Sequence, residues 1–275
     1  MPEENIIVSV GGSVERAVKG EYSIDVKAIL TEAWQKTLQS RMSINIALLL
    51  VSVFGMIVSF VSSSFFGGIE QVIDDPELLQ LINVIVTIAV WPFMAGIEMM
   101  GVYHAVNKPT QSKMVFSFLH RGSWVALCAL LTSLLIGIGF QLFLIPGVLL
   151  AVLLSLTIPL VVEKKLTPVQ SIILSVKALR FKLLPLLAIF LILFLALIAL
   201  TFPIALLIES SFAPLAIMVF LFGLSYLAPW YYNIKGVLYR EIFGVFTEQK
   251  NVENGLSHSA NNDSDQSGSD DTFSA

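Results

Sequence analysis

The sequence predicts an all-α, polytopic membrane protein with six transmembrane helices, and three observations carry that prediction. Of its 275 residues 56% are apolar and 13% charged, against roughly 45–50% and 25% in an ordinary soluble domain. Mean hydropathy is +0.84. The apolar residues are gathered in charge-free stretches at 42–68, 78–97, 122–162, 183–208 and 210–233, while the 16 Lys and Arg residues lie between them. So much apolar surface cannot be hidden inside one water-soluble globule of this size.

A helix needs about 20 residues to cross about 30 Å of hydrocarbon. The stretch 122–162 therefore holds two crossings and each of the others one. Gly137, Gly139, Pro146 and Gly147 would break a continuous helix midway along it and leave a tight hairpin. The spans are expected near 43–66, 78–103, 122–143, 147–164, 183–208 and 212–238.

Arg16, Lys19, Lys27, Lys36 and Arg41 precede the first span. Lys108, Lys113 and Arg121 fall between the second and third, and Lys164, Lys165, Lys177, Arg180 and Lys182 between the fourth and fifth. Lys235, Arg240 and Lys250 close the chain. In a six-span protein every base is then on one side, and the other side carries only Glu70, Asp74, Asp75, Glu77 and Glu209. The positive-inside rule predicts cytoplasmic N- and C-termini in a multi-pass protein of the cytoplasmic membrane. The N-terminal residues have no apolar core of signal-peptide length, so the first span is expected to direct insertion.

The basic segments have helical periodicity of their own. Residues 1–41 form an N-terminal cytoplasmic segment with an interfacial helix at 24–41, in which Val26, Ile29, Leu30, Ala33, Trp34 and Leu38 share one face. After the fourth span, Thr167 can cap a helix, Pro168 suits its first position and Gln170 completes a capping box, with Val169, Ile172, Ile173, Val176 and Leu179 as the expected buried stripe. A shorter version places Met114, Val115, Phe118 and Leu119 together before the third span. These segments suggest a threefold repeat of interfacial helix plus hairpin, at about 24–104, 107–164 and 166–240. The six-helix domain then spans 42–246. From 247 to 275 Ser, Asn, Asp and Gly dominate, which predicts a disordered acidic cytoplasmic tail.

Candidate chemistry is sparse. The signatures H-E-x-x-H, G-x-x-x-x-G-K-[ST] and G-x-S-x-G are absent. There are three histidines, and the single cysteine, Cys128, permits neither an intramolecular disulfide nor a Cys-based metal cluster. A net charge of −4 argues against nucleic acid as a partner. No catalytic, metal or cofactor site is therefore expected. The candidate intramembrane polar site is Glu98, with His104 and Lys235. Glu98 is one to two turns from the basic boundary, where it can snorkel, stay protonated, or pair with Lys235 or Arg240. Pro92, beside Trp91, should kink the second span. Tyr226, Trp230, Tyr231 and Tyr232 accompany Pro229 as an interfacial aromatic belt.

Residues 143–180, FLIPGVLLAVLLSLTIPLVVEKKLTPVQSIILSVKALR, resemble the shared signature of the YciC-like bacterial inner-membrane proteins. They are also similar to the membrane domain attached to some glycerophosphoryl diester phosphodiesterases. The matching positions are Ile145, Pro146 and Gly147, then Ser155, Pro159, Glu163 and Leu166, then Ser171, Ser175 and Leu179. The resemblance implies a bacterial cytoplasmic-membrane protein and no reaction. In physical terms Pro146 and Gly147 form the hairpin and Pro159 bends the fourth span, as structural turns or as hinges. The expected function is that of a non-catalytic scaffold, accessory or lipid-contacting component of the envelope, with membrane lipids and an unidentified membrane protein as partners. The alternative is a carrier for a small or lipid-like solute that uses Glu98 and the kinked helices.

Overall fold

The computed structural model describes residues 6–207 and 209–249. In chain order the elements are β1 (Ile6–Val10), α1 (Val14–Lys19), α2 (Val26–Phe65), α3 (Ile69–Asp74) and α4 (Pro76–Ala105). Two 3₁₀ turns, Ser112–Phe116 and Leu119–Arg121, lead into α5 (Gly122–Leu142). Then come α6 (Leu144–Leu153), α7 (Thr157–Glu163), α8 (Pro168–Leu179), a 3₁₀ turn at Arg180–Lys182, α9 (Leu183–Leu207), α10 (Ala213–Phe243) and β2 (Val245–Gln249). Six helical stretches are long and apolar enough to cross a membrane. Their outward faces are apolar: Leu184 is 80% exposed, Leu206 65% and Phe222 68%. Hydrocarbon rather than water is the solvent that suits such a surface.

Packing is uneven along the bundle. In α4 nearly every residue from Ala95 to Ala105 is buried, and in α10 every residue from Tyr232 to Tyr239, whereas the opposite halves of both helices are almost all exposed or half-buried. The tight end is also where the basic segments converge. Arg240 forks onto Glu32, with Nη1 2.6 Å from Oε1 and Nη2 2.8 Å from Oε2, and donates to the Ala105 carbonyl at 2.6 Å. Arg121 donates to the Val161 carbonyl at 2.7 Å and Lys164 to the Gly244 carbonyl at 3.1 Å. Lys36 bonds Asn107. The Tyr22 hydroxyl donates to the Ala178 carbonyl at 2.7 Å, and its burial pushes its pKa up to about 12.

The structure departs from the sequence reading at several places. The helices expected at 24–41 and 43–66 are one helix, α2, of 40 residues. No Gly or Pro interrupts it near Arg41, and the Ser40 and Ser43 hydroxyls bond back to the Lys36 and Ser40 carbonyls inside the helix, so nothing favours ending it there. The fourth span, expected at 147–164, is two pieces broken at Leu154–Leu156. Pro159 does not bend a continuous helix. It sits in the first turn of α7, where its missing N–H is not needed. The hairpin turns earlier than expected, at Phe143, whose extended backbone (φ −164°, ψ 162°) separates α5 from α6.

Two short strands depart from the all-α expectation. β1 and β2 pair antiparallel, with Ile6 opposite Gln249 and Val10 opposite Val245. Gly244, at φ +68°, turns the chain out of α10 into β2, and a Cβ there would lie 2.1 Å from the Gly12 carbonyl oxygen. The tail expected from 247 thus begins inside a strand, and its remainder, 250–275, with His258, lies outside the described residues. In α8 the capping box between Thr167 and Gln170 is formed. Of the expected stripe Leu179 is buried, Ile172 and Val176 are half-buried, and Val169 and Ile173 are exposed, while Ser171, Ser175 and Ala178 are buried with Leu179. The small side chains let α8 lie close enough for the Ser175 hydroxyl to reach the Leu153 carbonyl at 2.6 Å.

Candidate functional site

The site begins at a crossing of two helices. Gly101 of α4 and Gly236 of α10 meet backbone to backbone: a Cβ on Gly236 would lie 2.0 Å from the Gly101 carbonyl oxygen, and one on Gly101 2.2 Å from that of Tyr232. Glu98 lies one turn before Gly101 and Lys235 is next to Gly236, so the crossing brings their side chains together. Glu98 Oε1 and Lys235 Nζ are 2.5 Å apart, and the two side chains are 4% and 6% exposed. The ammonium also lies 5.5 Å from the centre of the Tyr231 ring, within reach of a cation–π contact. The second carboxylate oxygen, Glu98 Oε2, is buried and has no hydrogen-bond partner.

That ion pair forms part of the wall of a cavity of about 920 Å³ enclosed by α4, α5, α6, α7, α9 and α10. The walls are mainly apolar. The lining includes Thr157, 2% exposed, and Ser155, whose Oγ is the other unpartnered buried atom on it. The rim is formed by Phe140, Leu144, Leu191 and Phe194, of which Leu144 is 71% exposed. The cavity therefore runs from an exposed apolar surface to a buried pair of opposite charges. A volume of this size is at the upper end of the range of roughly 300–1,000 Å³ found for small-molecule sites.

Of the residues singled out from sequence, Glu98 and Lys235 are together and His104 is apart from them. His104 belongs to a second polar cluster, toward the tight end, that ties α2, α4 and α10. Its Nδ1 is 2.8 Å from Asn233 Oδ1, its Nε2 is 2.7 Å from Thr110 Oγ1, and Asn233 donates to Thr37 Oγ1 at 2.9 Å. With Nδ1 donating to Asn233 Oδ1, the Thr110 hydroxyl can serve Nε2 either as donor or as acceptor. Arg240 is engaged with Glu32, Glu241 and Ala105 and does not reach Glu98.

Pro92 packs against the start of α5, where a Cβ on Gly122 would lie 3.2 Å from its ring, and α4 continues through it to Ala105. Its neighbour Trp91 lines the cavity. Pro146 falls in the first turn of α6, and Gly147 lies so close to α5 that a Cβ would sit 2.4 Å from the Phe140 ring. Pro159 follows Thr157 and Ile158, both on the cavity wall. Glu163 is away from the cavity and accepts from the Tyr239 hydroxyl at 2.8 Å.

Thr132, Ser133 and Thr157 line the cavity without any sequence signal, and Ser155, a position of the signature resemblance, gains a place at a site only from the structure. Isolated hydroxyls are common in membrane helices, so only the tertiary packing distinguishes these from others. The aromatic belt has a packing role as well: Trp34 stacks on Tyr226, Trp230 donates to the Leu30 carbonyl at 3.2 Å, and the Arg41 guanidinium lies 3.8 Å from the centre of the Tyr226 ring. Among the described residues no group of three or more His, Cys, Asp or Glu side chains is placed to hold a metal ion. Comparison of the chain with protein-family models, with curated proteins and with solved structures finds no match in any of the three.

Proposed function

We propose that the chain is a non-catalytic, lipid-contacting protein of the bacterial cytoplasmic membrane that takes one lipid-like amphiphile into the cavity beside Glu98 and Lys235. The observation that carries this reading is the gradient along that cavity, from an exposed apolar rim at Leu144 to a buried ion pair. An amphiphile matches both ends, with chains lying among the apolar walls and a polar head near the charges.

The orientation proposed, with both termini cytoplasmic, is supported by the bases gathered at the tight end. There α8 and the first turns of α2 serve as interfacial helices that precede hairpins, and the 3₁₀ turns at Ser112–Phe116 and Leu119–Arg121 take the third place of a threefold plan. Membership of the YciC-like group belongs to the same proposal. It rests on the resemblance of residues 143–180, in which Pro146 and Pro159 open the two pieces of the broken span, α6 and α7.

The second reading is a carrier of such an amphiphile. One observation favours it: the wall of the cavity is a broken span, α6 and α7, rather than a continuous helix, as in transporters whose sites are formed by discontinuous helices. Gentle purification from native membranes, with intact mass recorded while bound species are retained, tests the proposal. One lipid-like species per chain supports it. A bare chain, or a chain with only a protein companion, removes it in favour of a scaffold.

A further inference from the structure

We infer that the head group of the amphiphile is uncharged and donates hydrogen bonds, as in a diacylglycerol or a long-chain alcohol, with Glu98 Oε2 and Ser155 Oγ as its anchors. This rests on the reading of the cavity as an amphiphile site and specifies which class of amphiphile it selects.

The buried polar atoms of the wall that lack a partner, Glu98 Oε2 and Ser155 Oγ, decide the class. Each hydroxyl has one proton to give, and Thr132 and Thr157 have given theirs to carbonyls of their own segments, Cys128 at 2.9 Å and Leu154 at 2.9 Å. Toward the cavity their remaining lone pairs can only accept. Glu98 Oε2 is a carboxylate oxygen, which also only accepts, and it is buried without a partner. A buried acceptor left unsatisfied is costly, and a donor brought by a ligand removes that cost. Ser155 Oγ, equally unpartnered, can take either role.

Charge excludes the other classes. Glu98 and Lys235 are opposite charges in contact, so the pair is neutral as a unit. A phosphate or a fatty-acid carboxylate would bring a negative charge against Glu98 Oε2. A quaternary ammonium has no proton to donate, and a primary ammonium would place a second positive charge beside Lys235 where water does not screen it. A hydroxyl head satisfies the acceptor and adds no charge.

The test incubates the full-length, delipidated protein in detergent with equal amounts of dioleoylglycerol, oleate, dioleoylphosphatidylglycerol and dioleoylphosphatidylcholine, and reads bound species by intact mass. One dioleoylglycerol per chain, retained at least roughly tenfold over the other three, is expected. Ser155→Ala should weaken that retention roughly five- to tenfold, as for the loss of one hydrogen bond. Because Glu98→Gln alone leaves Lys235 unpaired and can fail to fold, the partner variant is Glu98→Gln with Lys235→Met. That double variant should bind oleate and dioleoylglycerol with much less discrimination. Preference for oleate or phosphatidylglycerol overturns the head-group inference and makes Lys235 the anchor, with the cavity still a lipid site. Equal retention of all four overturns head-group selection alone. Retention of none overturns the cavity reading as well.

Discussion

Gly101 and Gly236 hold α4 and α10 in backbone contact, and a methyl group on Gly236 would overlap the Gly101 carbonyl oxygen at 2.0 Å. The atoms in conflict are main chain and cannot rotate away, so Gly236→Ala must part the helices. Overpacking of a tight core costs about 1–3 kcal/mol, and Gly236→Ala should lie at or above the top of that range. Gly137→Ala is the contrast, because a Cβ there meets nothing within 4 Å and replaces a helical glycine, a change worth about 0.5–1 kcal/mol in favour of the helix. Thermal unfolding in detergent should show a large loss for the first and none for the second.

The ion pair beside that crossing should behave as a unit. Lys235→Met leaves a carboxylate buried without its counter-charge, at a cost of about 3–5 kcal/mol. Combining it with Glu98→Gln removes both charges and should recover most of the loss. A double-mutant cycle on thermal stability measures this, and additive losses would mean that the pair does not exist in the folded protein.

Much of this architecture is legible from charge and apolarity alone. The uninterrupted apolar runs locate the spans, and the placement of Arg121, Lys164 and Arg240 anticipates the end at which they converge. What escaped is what depends on partners remote in sequence. Ile6–Val10 is β-prone, but its partner Val245–Gln249 is more than 200 residues away, and a single short run carries no register. The expected faces of α2 and α8 hold in part, at Ile29, Ala33 and Leu179, and give way elsewhere for a related reason. In membrane, apolar residues such as Ile173 and Leu38 are content to face lipid, while the small Ser171 and Ser175 pack inward. The approach of Glu98 to Lys235 was one of several pairings open to sequence. The glycine crossing that selects it becomes visible only when α4 and α10 are laid together.

The contact of Tyr22 with Ala178 predicts a pH effect of definite sign. Burial raises the Tyr22 pKa from the ordinary 10 to about 12. The neutral hydroxyl therefore contributes its stability fully below about pH 10, and that contribution is lost as pH rises toward about 12. Tyr22→Phe gives up the hydrogen bond at every pH, at about 0.5–1.5 kcal/mol. The gap in unfolding temperature between wild type and Tyr22→Phe should be constant up to about pH 10 and narrow above it. A gap that widens with pH would contradict this sign.

Orientation can be read by labelling. Cys128 is buried at 0% exposure, so the native thiol should be silent toward a membrane-impermeant maleimide. Glu70→Cys and Glu209→Cys, both exposed and on the acidic side, should react in intact cells. Lys165→Cys, exposed at the basic end, should react only after permeabilisation. The reverse pattern would invert the proposed orientation.

Filling the cavity separates its occupancy from the stability of the bundle. Ala151 and Ala188 line it from α6 and α9, so Ala151→Trp and Ala188→Phe project bulk into the space and leave Glu98, Lys235, Gly101 and Gly236 themselves unchanged. If that space holds an amphiphile, the two substitutions together should abolish the bound species in the intact-mass spectrum. Unfolding temperature should stay level or rise, since filling a void commonly adds about 0.5–2 kcal/mol. The combination of lost ligand and kept fold is what a dedicated site requires. A structural void gives the rise in stability without any ligand to lose, and a lipid held on the outer surface of α9 and α10 would remain bound in the filled protein.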